Sequence, residues 1–140
     1  IVRDVLSARD VDAIYMHSDC VYSESTVQTL KEMDQYAPRG EEGHIFIAAI
    51  DGCSANIALI REGSTDQASG QPIPDFGSMV VEYIQKKLNG EVIEEGPVVQ
   101  EGALWSPAQL VMTDVGFQLY LSTTDISIDN IDNPGLWGNQ

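Results

Sequence analysis

Three apolar runs, each followed by a helix-period pattern, organise this chain. Asp12-Ala13-Ile14-Tyr15-Met16-His17 predicts a first strand over 13–17, and residues 23–33 then read as a helix. Val27, Leu30 and Met33 fall on one face of that helix, with Ser23 or Ser25 as its cap. The run His44-Ile45-Phe46-Ile47-Ala48-Ala49-Ile50 predicts a second strand over 45–50, apolar enough to be buried on both faces. Ser54 to Glu62 reads as the next helix, with Ser54 as its cap and Gly63 as the glycine that ends it. A short polar third strand is expected near 67–71, from its position. Beyond Pro72 and Pro74, the residues Phe76, Met79, Val80, Tyr83, Ile84 and Leu88 recur at the i, i+3, i+4, i+7 spacing of an amphipathic helix over 75–89. Val2, Val5, Leu6 and Ala8 suggest the end of a helix before all of this.

The alternation of strand and helix predicts an α/β fold, three-layered, with a mostly parallel sheet flanked by helices. The tail has another character. Leu110-Val111-Met112 and Phe117 to Leu121 flank Thr113-Asp114-Val115-Gly116, which reads as a β-hairpin near the C-terminus. The expected division is an α/β portion over 1–100 and a hairpin with a crossing and tail over 101–140.

Asp51-Gly52 falls just past the carboxyl end of the second strand, where open α/β sheets bind ligands. A carboxylate there accepts hydrogen bonds from ligand hydroxyls, or it stabilises its own turn and the next helix. Both readings stand on spacing alone. Ser18-Asp19-Cys20 occupies the same topological place after the first strand, and His17 and Asp19 there are further candidate ligand-binding residues.

Composition narrows the partners. The 140 residues carry 22 Asp and Glu against 7 Lys and Arg, a formal charge of -15. Such a surface repels phosphate backbones and anionic lipids, which argues against nucleic-acid or membrane-surface binding. No apolar run approaches membrane-spanning length. Cys20, Cys53, His17 and His44 show no metal-ligand spacing, and no cofactor motif is present. The chain opens on Ile1 with no signal-peptide pattern, and is expected to begin inside or after something longer.

Taken in order, three blocks resemble the sugar-type, type I periplasmic solute-binding proteins of ABC transporters. They are Asp12 to Asp19 with its helix, Ala48 to Gly52 with its helix ending in Arg61-Glu62-Gly63, and Gly70-Gln71-Pro72 with the helix to Leu88 and Asn89-Gly90. Asp129-Asn130-Ile131-Asp132-Asn133-Pro134-Gly135-Leu136-Trp137 resembles that family's ending. The resemblance implies the C-terminal half of a two-lobed, exported protein that binds a mono- or small saccharide between its lobes and delivers it to a membrane permease. It implies ligand contacts at Asp51, Gln71 and Ser18. Ser18 stands where an asparagine is usual, and lacks an amide's two donors. With the other half absent, the stripe from Phe76 to Leu88 needs a cover, and self-association as a two-fold dimer is expected.

Two other readings remain at this stage. The effector domain of a sugar-responsive repressor shares the expected fold. A small enzyme would use Cys20 with His17, Asp19 and Asp51, although no nucleophile elbow or phosphate loop is present. Cys20 and Cys53 follow the ends of neighbouring strands, which brings them within range of a disulfide; two small buried thiols are the alternative.

Overall fold

The structure is a computed structural model that describes residues 1–140. In chain order the elements are α1 (Val2–Ala8), β1 (Ala13–Met16), α2 (Asp19–Glu32), β2 (Phe46–Asp51), α3 (Ser54–Glu62), β3 (Gln67–Gly70), α4 (Ile73–Leu88), β4 (Gly96–Val98), β5 (Ala108–Thr113), β6 (Gly116–Tyr120) and β7 (Thr124–Ser127), closed by a short 3-10 turn over Trp137–Asn139. The expected α/β fold with its mostly parallel sheet and tail hairpin is therefore present. The strands group into a sheet ordered β1-β2-β3-β7 and a second ordered β4-β5-β6.

Two compact units result. The first comprises Ile1–Gly70 and Asp125–Gln140, and the second Gln71–Thr124. These bounds differ from a division at residue 100, because the last segment of chain returns to the parallel sheet through β7.

In the first unit β1, β2 and β3 run parallel, with Ile14 beside Ile47 and Ala49 beside Ala68. That face forms the core. Met16, Ile47 and Ala49 pack with Leu6 of α1 and with Val27 and Leu30 of α2. The opposite face of β1 and β2 is less covered than the apolar run suggested: Tyr15 is 68% exposed and Phe46 43%. Strict alternation of side chains along a strand makes this division sharp.

The start of α2 and the N-cap of α3 differ from the expectation. α2 begins at Asp19, four residues before Ser23, with Ser18 at the N-cap position. Ser23 lies buried inside the helix, and its hydroxyl has no hydrogen-bond partner. α3 has Cys53 at its N-cap position and ends at Gly63 as expected, in the left-handed conformation that glycine adopts without strain (φ 79°).

A buried carboxylate fastens the long loop between α2 and β2. Asp66, at the foot of β3, accepts hydrogen bonds from Arg39 Nε (3.1 Å) and from the Ile47 amide (2.7 Å). His44 Nε2 lies 3.0 Å from both its oxygens, while His44 Nδ1 donates to the Ala37 carbonyl. Arg39 also donates to the carbonyls of Ile60 and Thr65.

The second unit is built on the antiparallel pairs β4–β5 and β5–β6. The β5–β6 turn is two residues long, Asp114-Val115, and Thr113 Oγ1 donates to the Gly116 carbonyl across it. Trp105, Ala108 and Leu110 are buried here. α4 has no buried residue, and Val80, Ile84 and Leu88 are all more than half exposed. Its apolar stripe and the sheet residues Leu110, Phe117, Leu119 and Leu121 line an open groove of about 490 Å³. The stripe read from the sequence thus exists as a helix face without a complete cover of its own.

Removing the Asp66 carboxylate leaves the Ile47 amide and the Arg39 and His44 side chains without their shared partner. Asp66→Ala should lower stability by about 3 kcal/mol, the scale for breaking a buried charge pair from one side. Urea unfolding at fixed protein concentration measures this, and a midpoint unchanged from the parent chain would contradict it.

Candidate ligand-binding site

Two strand-to-helix turns meet at the carboxyl ends of β1 and β2. Each carries an acid, and the two acids do different work. Asp19, read from the sequence as a ligand contact, points inward and is 1% exposed. Its Oδ2 accepts from the Gly52 amide (2.7 Å) and from Asn56 Nδ2 (3.1 Å). Its Oδ1 accepts from the Cys53 amide (3.3 Å) and from the Cys20 thiol (3.2 Å). A buried carboxylate is tolerable only when donors surround it, and here all of them except the Cys20 thiol come from the next βα turn. Asp19 therefore ties the start of α2 to the start of α3.

Asp51 faces the other way. It is the last residue of β2, partly exposed, with its backbone at φ 114°. A non-glycine residue in that region carries about 1–3 kcal/mol of strain, and such strain persists only where neighbours enforce it. Three contacts do so. Ser18 Oγ donates to Asp51 Oδ2 at 2.6 Å. Trp137 Nε1 donates to the Asp51 carbonyl at 2.7 Å. Gly52 follows at φ 84°, and a Cβ there would come within 2.4 Å of Ile126 Cδ1 and 3.3 Å of Gly70 Cα. The turn is thus closed from above by β7 and the C-terminal segment. Gly138 completes the closure, since a Cβ at that position would meet the Gly52 carbonyl at 2.5 Å.

Ser18, Asp19 and Asp51 are accordingly brought together, along with Cys20 and Cys53. His17 is exposed, and its ring stacks at a tilt on Tyr22, with centroids 5.0 Å apart. Gln71 opens the second unit, one residue after Gly70, the β3 partner of Asp51. Sequence reasoning missed Asn56 and Trp137. Asn56 is fully buried and held by Thr65 Oγ1 at 2.9 Å. An asparagine among the apolar positions of a helix was the available signal for it. For Trp137 there was none, because it lies 86 residues from its acceptor.

Both cysteines are free thiols. Burial, the neighbouring Cys53 and the Asp19 carboxylate push the Cys20 thiol far above its ordinary pKa. Burial also raises Cys53. An activated nucleophile needs the opposite shift, so the pair does not fit covalent catalysis.

No protein-family model matches the chain, and no curated protein matches its sequence. Solved structures do match its fold. One is a sugar ABC transport system substrate-binding protein from Bordetella parapertussis 12822, with a TM-score of 0.66 at 14% identity over 94% of this chain and 36% of that one. Another is the periplasmic binding protein component of the arabinose ABC transporter from Shewanella sp. ANA-3, bound to α- and β-L-arabinofuranose. It has a TM-score of 0.64 at 16% identity, over 93% of this chain and 35% of that one. A galactofuranose binding protein gives 0.60 at 16% identity, over 93% and 36%. The chain shares their fold and spans about a third of their length.

A raised thiol pKa means less thiolate at neutral pH. Cys20, although exposed, should therefore react with iodoacetamide at pH 7.5 more slowly than a model thiol. Its rate should keep climbing as pH rises past the range where a free thiol levels off. Labelling at or above the model rate would restore the nucleophile reading.

Proposed function

We propose that this chain is part of the substrate-binding component of a sugar ABC transporter, which holds a mono- or small saccharide in a cleft between two lobes. The carrying observation is Asp51: an acceptor at the carboxyl end of a parallel strand, held in a strained backbone and aimed by Ser18. Sugar hydroxyls are donors that such a carboxylate recognises. Ser18 contributes a further polar contact, His17 precedes it in sequence, and Asp19 sets the turn; the family resemblance adds Gln71 as a candidate contact. The arabinofuranose and galactofuranose named for two of the fold neighbours support a sugar of that size class. The neighbours are binding proteins of transport systems, which supports binding over catalysis and transport over a repressor's effector domain. The charge of -15 also sits poorly beside DNA. On this reading the protein works outside the cytoplasmic membrane and hands its sugar to a permease.

We further propose that a second copy of the chain covers the α4 groove. α4 carries Asp75 in its first turn and Lys86 and Lys87 in its last. Antiparallel pairing of two copies about a two-fold axis sets each acidic end against the partner's basic end and joins the two apolar stripes.

Calorimetry on the intact two-lobed protein with a panel of pentoses and hexoses should find a binding sugar. Asp51→Ala should weaken it by about 1.5–3 kcal/mol, the range for a hydrogen bond to a charged group. Unchanged affinity removes Asp51 from the site, and no binding across the panel overturns the sugar reading. Sedimentation at micromolar concentration should give a dimer that Ile84→Glu returns to monomer; a folded parent monomer would refute self-association.

A further inference from the structure

Cys20 and Cys53 stand 33 residues apart in sequence, yet the fold brings both sulfurs and a carboxylate oxygen of Asp19 within 4.8 Å of one another. We propose that Asp19, Cys20 and Cys53 form a binding site for one thiophilic divalent cation of the zinc or cadmium kind. The site is independent of the sugar reading.

The donor set selects the cation. Two sulfurs and one oxygen suit a borderline or soft ion, whereas calcium and magnesium require shells of oxygen. A tetrahedral ion with metal–sulfur bonds of about 2.3 Å and a metal–oxygen bond of about 2.1 Å sets sulfurs about 3.8 Å apart and oxygen about 3.6 Å from each. The Cys20 sulfur is already 3.2 Å from Asp19 Oδ1. Small side-chain rotations complete the triangle, and Cys20 is exposed, which gives the ion an entry path and a fourth position for water.

Charge balance favours the exchange. With both thiols protonated, the cluster carries the single negative charge of Asp19. Binding one divalent cation releases two thiol protons to solvent and leaves two thiolates, the carboxylate and the ion, again a net charge of minus one. Burial therefore does not oppose loading by adding charge. Hydrogen bonds balance too. The Cys20 S–H donor to Asp19 Oδ1 is replaced by the metal at the same oxygen, while the amides of Gly52 and Cys53 and Asn56 Nδ2 keep their places on the carboxylate. Asn56 is fixed in turn by Thr65. Such an outer shell is what holds a ligand carboxylate in position, and it is built here before any ion arrives.

The test uses the full chain, reduced with a phosphine and then freed of reductant under nitrogen. Titration with cadmium chloride alone should raise a thiolate-to-cadmium absorption that saturates at one ion per chain. Zinc chloride should quench that absorption by competition, protect both thiols from maleimide and raise the melting temperature. Magnesium chloride should do none of these. Cys20→Ser, at an exposed position, should keep the parent circular dichroism and weaken cadmium binding by roughly a hundredfold, the upper end of what even outer-shell losses cost. No absorption at excess cadmium overturns the site. So does an absorption unchanged in Cys20→Ser, or zinc that leaves both thiols as open to maleimide as they are in the ion-free chain.

Discussion

The buried carboxylate of Asp19 is the constraint on which the site depends. A charge that is almost wholly removed from water has to find donors, and this one finds them in two backbone amides and one side-chain amide of the neighbouring turn and in the thiol of Cys20 beside it. Because Asp19 is itself the first residue of α2, the interaction fixes two helix starts against each other. The ends of β1 and β2 are then no longer free to shift. Asp51, in its costly backbone conformation, rests on that fixed turn, and Ser18 and Trp137 hold it from either side. Two carboxylates on adjacent turns thus differ: the buried one shapes the turn, and the other stays partly exposed.

The two compact units contrast in how they satisfy their apolar surface. In the first, α1 and α2 cover one face of the parallel sheet, and Ile57 and Ile60 of α3 are also buried. In the second, α4 keeps a broad apolar stripe open beside the antiparallel strands. An amphipathic helix is stabilised mainly by what its apolar face meets. α4 therefore carries an unmet demand for a partner surface, whereas α2 and α3 have met theirs.

Much of this was legible in the residues. The period-3.6 stripe of α4, the apolar run of β2 and the glycine at 63 each mark their element, because helix and strand periods and the left-handed cap are local properties. The start of α2 was not legible. Ser23 and Ser25 both look like caps, yet the helix starts earlier, at Asp19, whose carboxylate is claimed by a turn more than thirty residues away. The short strands β4 and β7 were also invisible, being too brief and too polar to show a period.

The sequence by itself determined the alternation of strand and helix, the parallel sheet that follows from it, and the place of Asp51 at the carboxyl end of a strand. Only the tertiary structure decided which way each acid faces. It turned Asp19 inward, strained Asp51, brought Cys20 and Cys53 to one carboxylate, and laid Trp137 on the turn from the far end of the chain. The reason is physical. Periodicity records what a residue does within one or two turns of its own element. The approach of residues far apart in sequence is settled by strand pairing and by the need of a buried charge for donors, and neither leaves a local pattern.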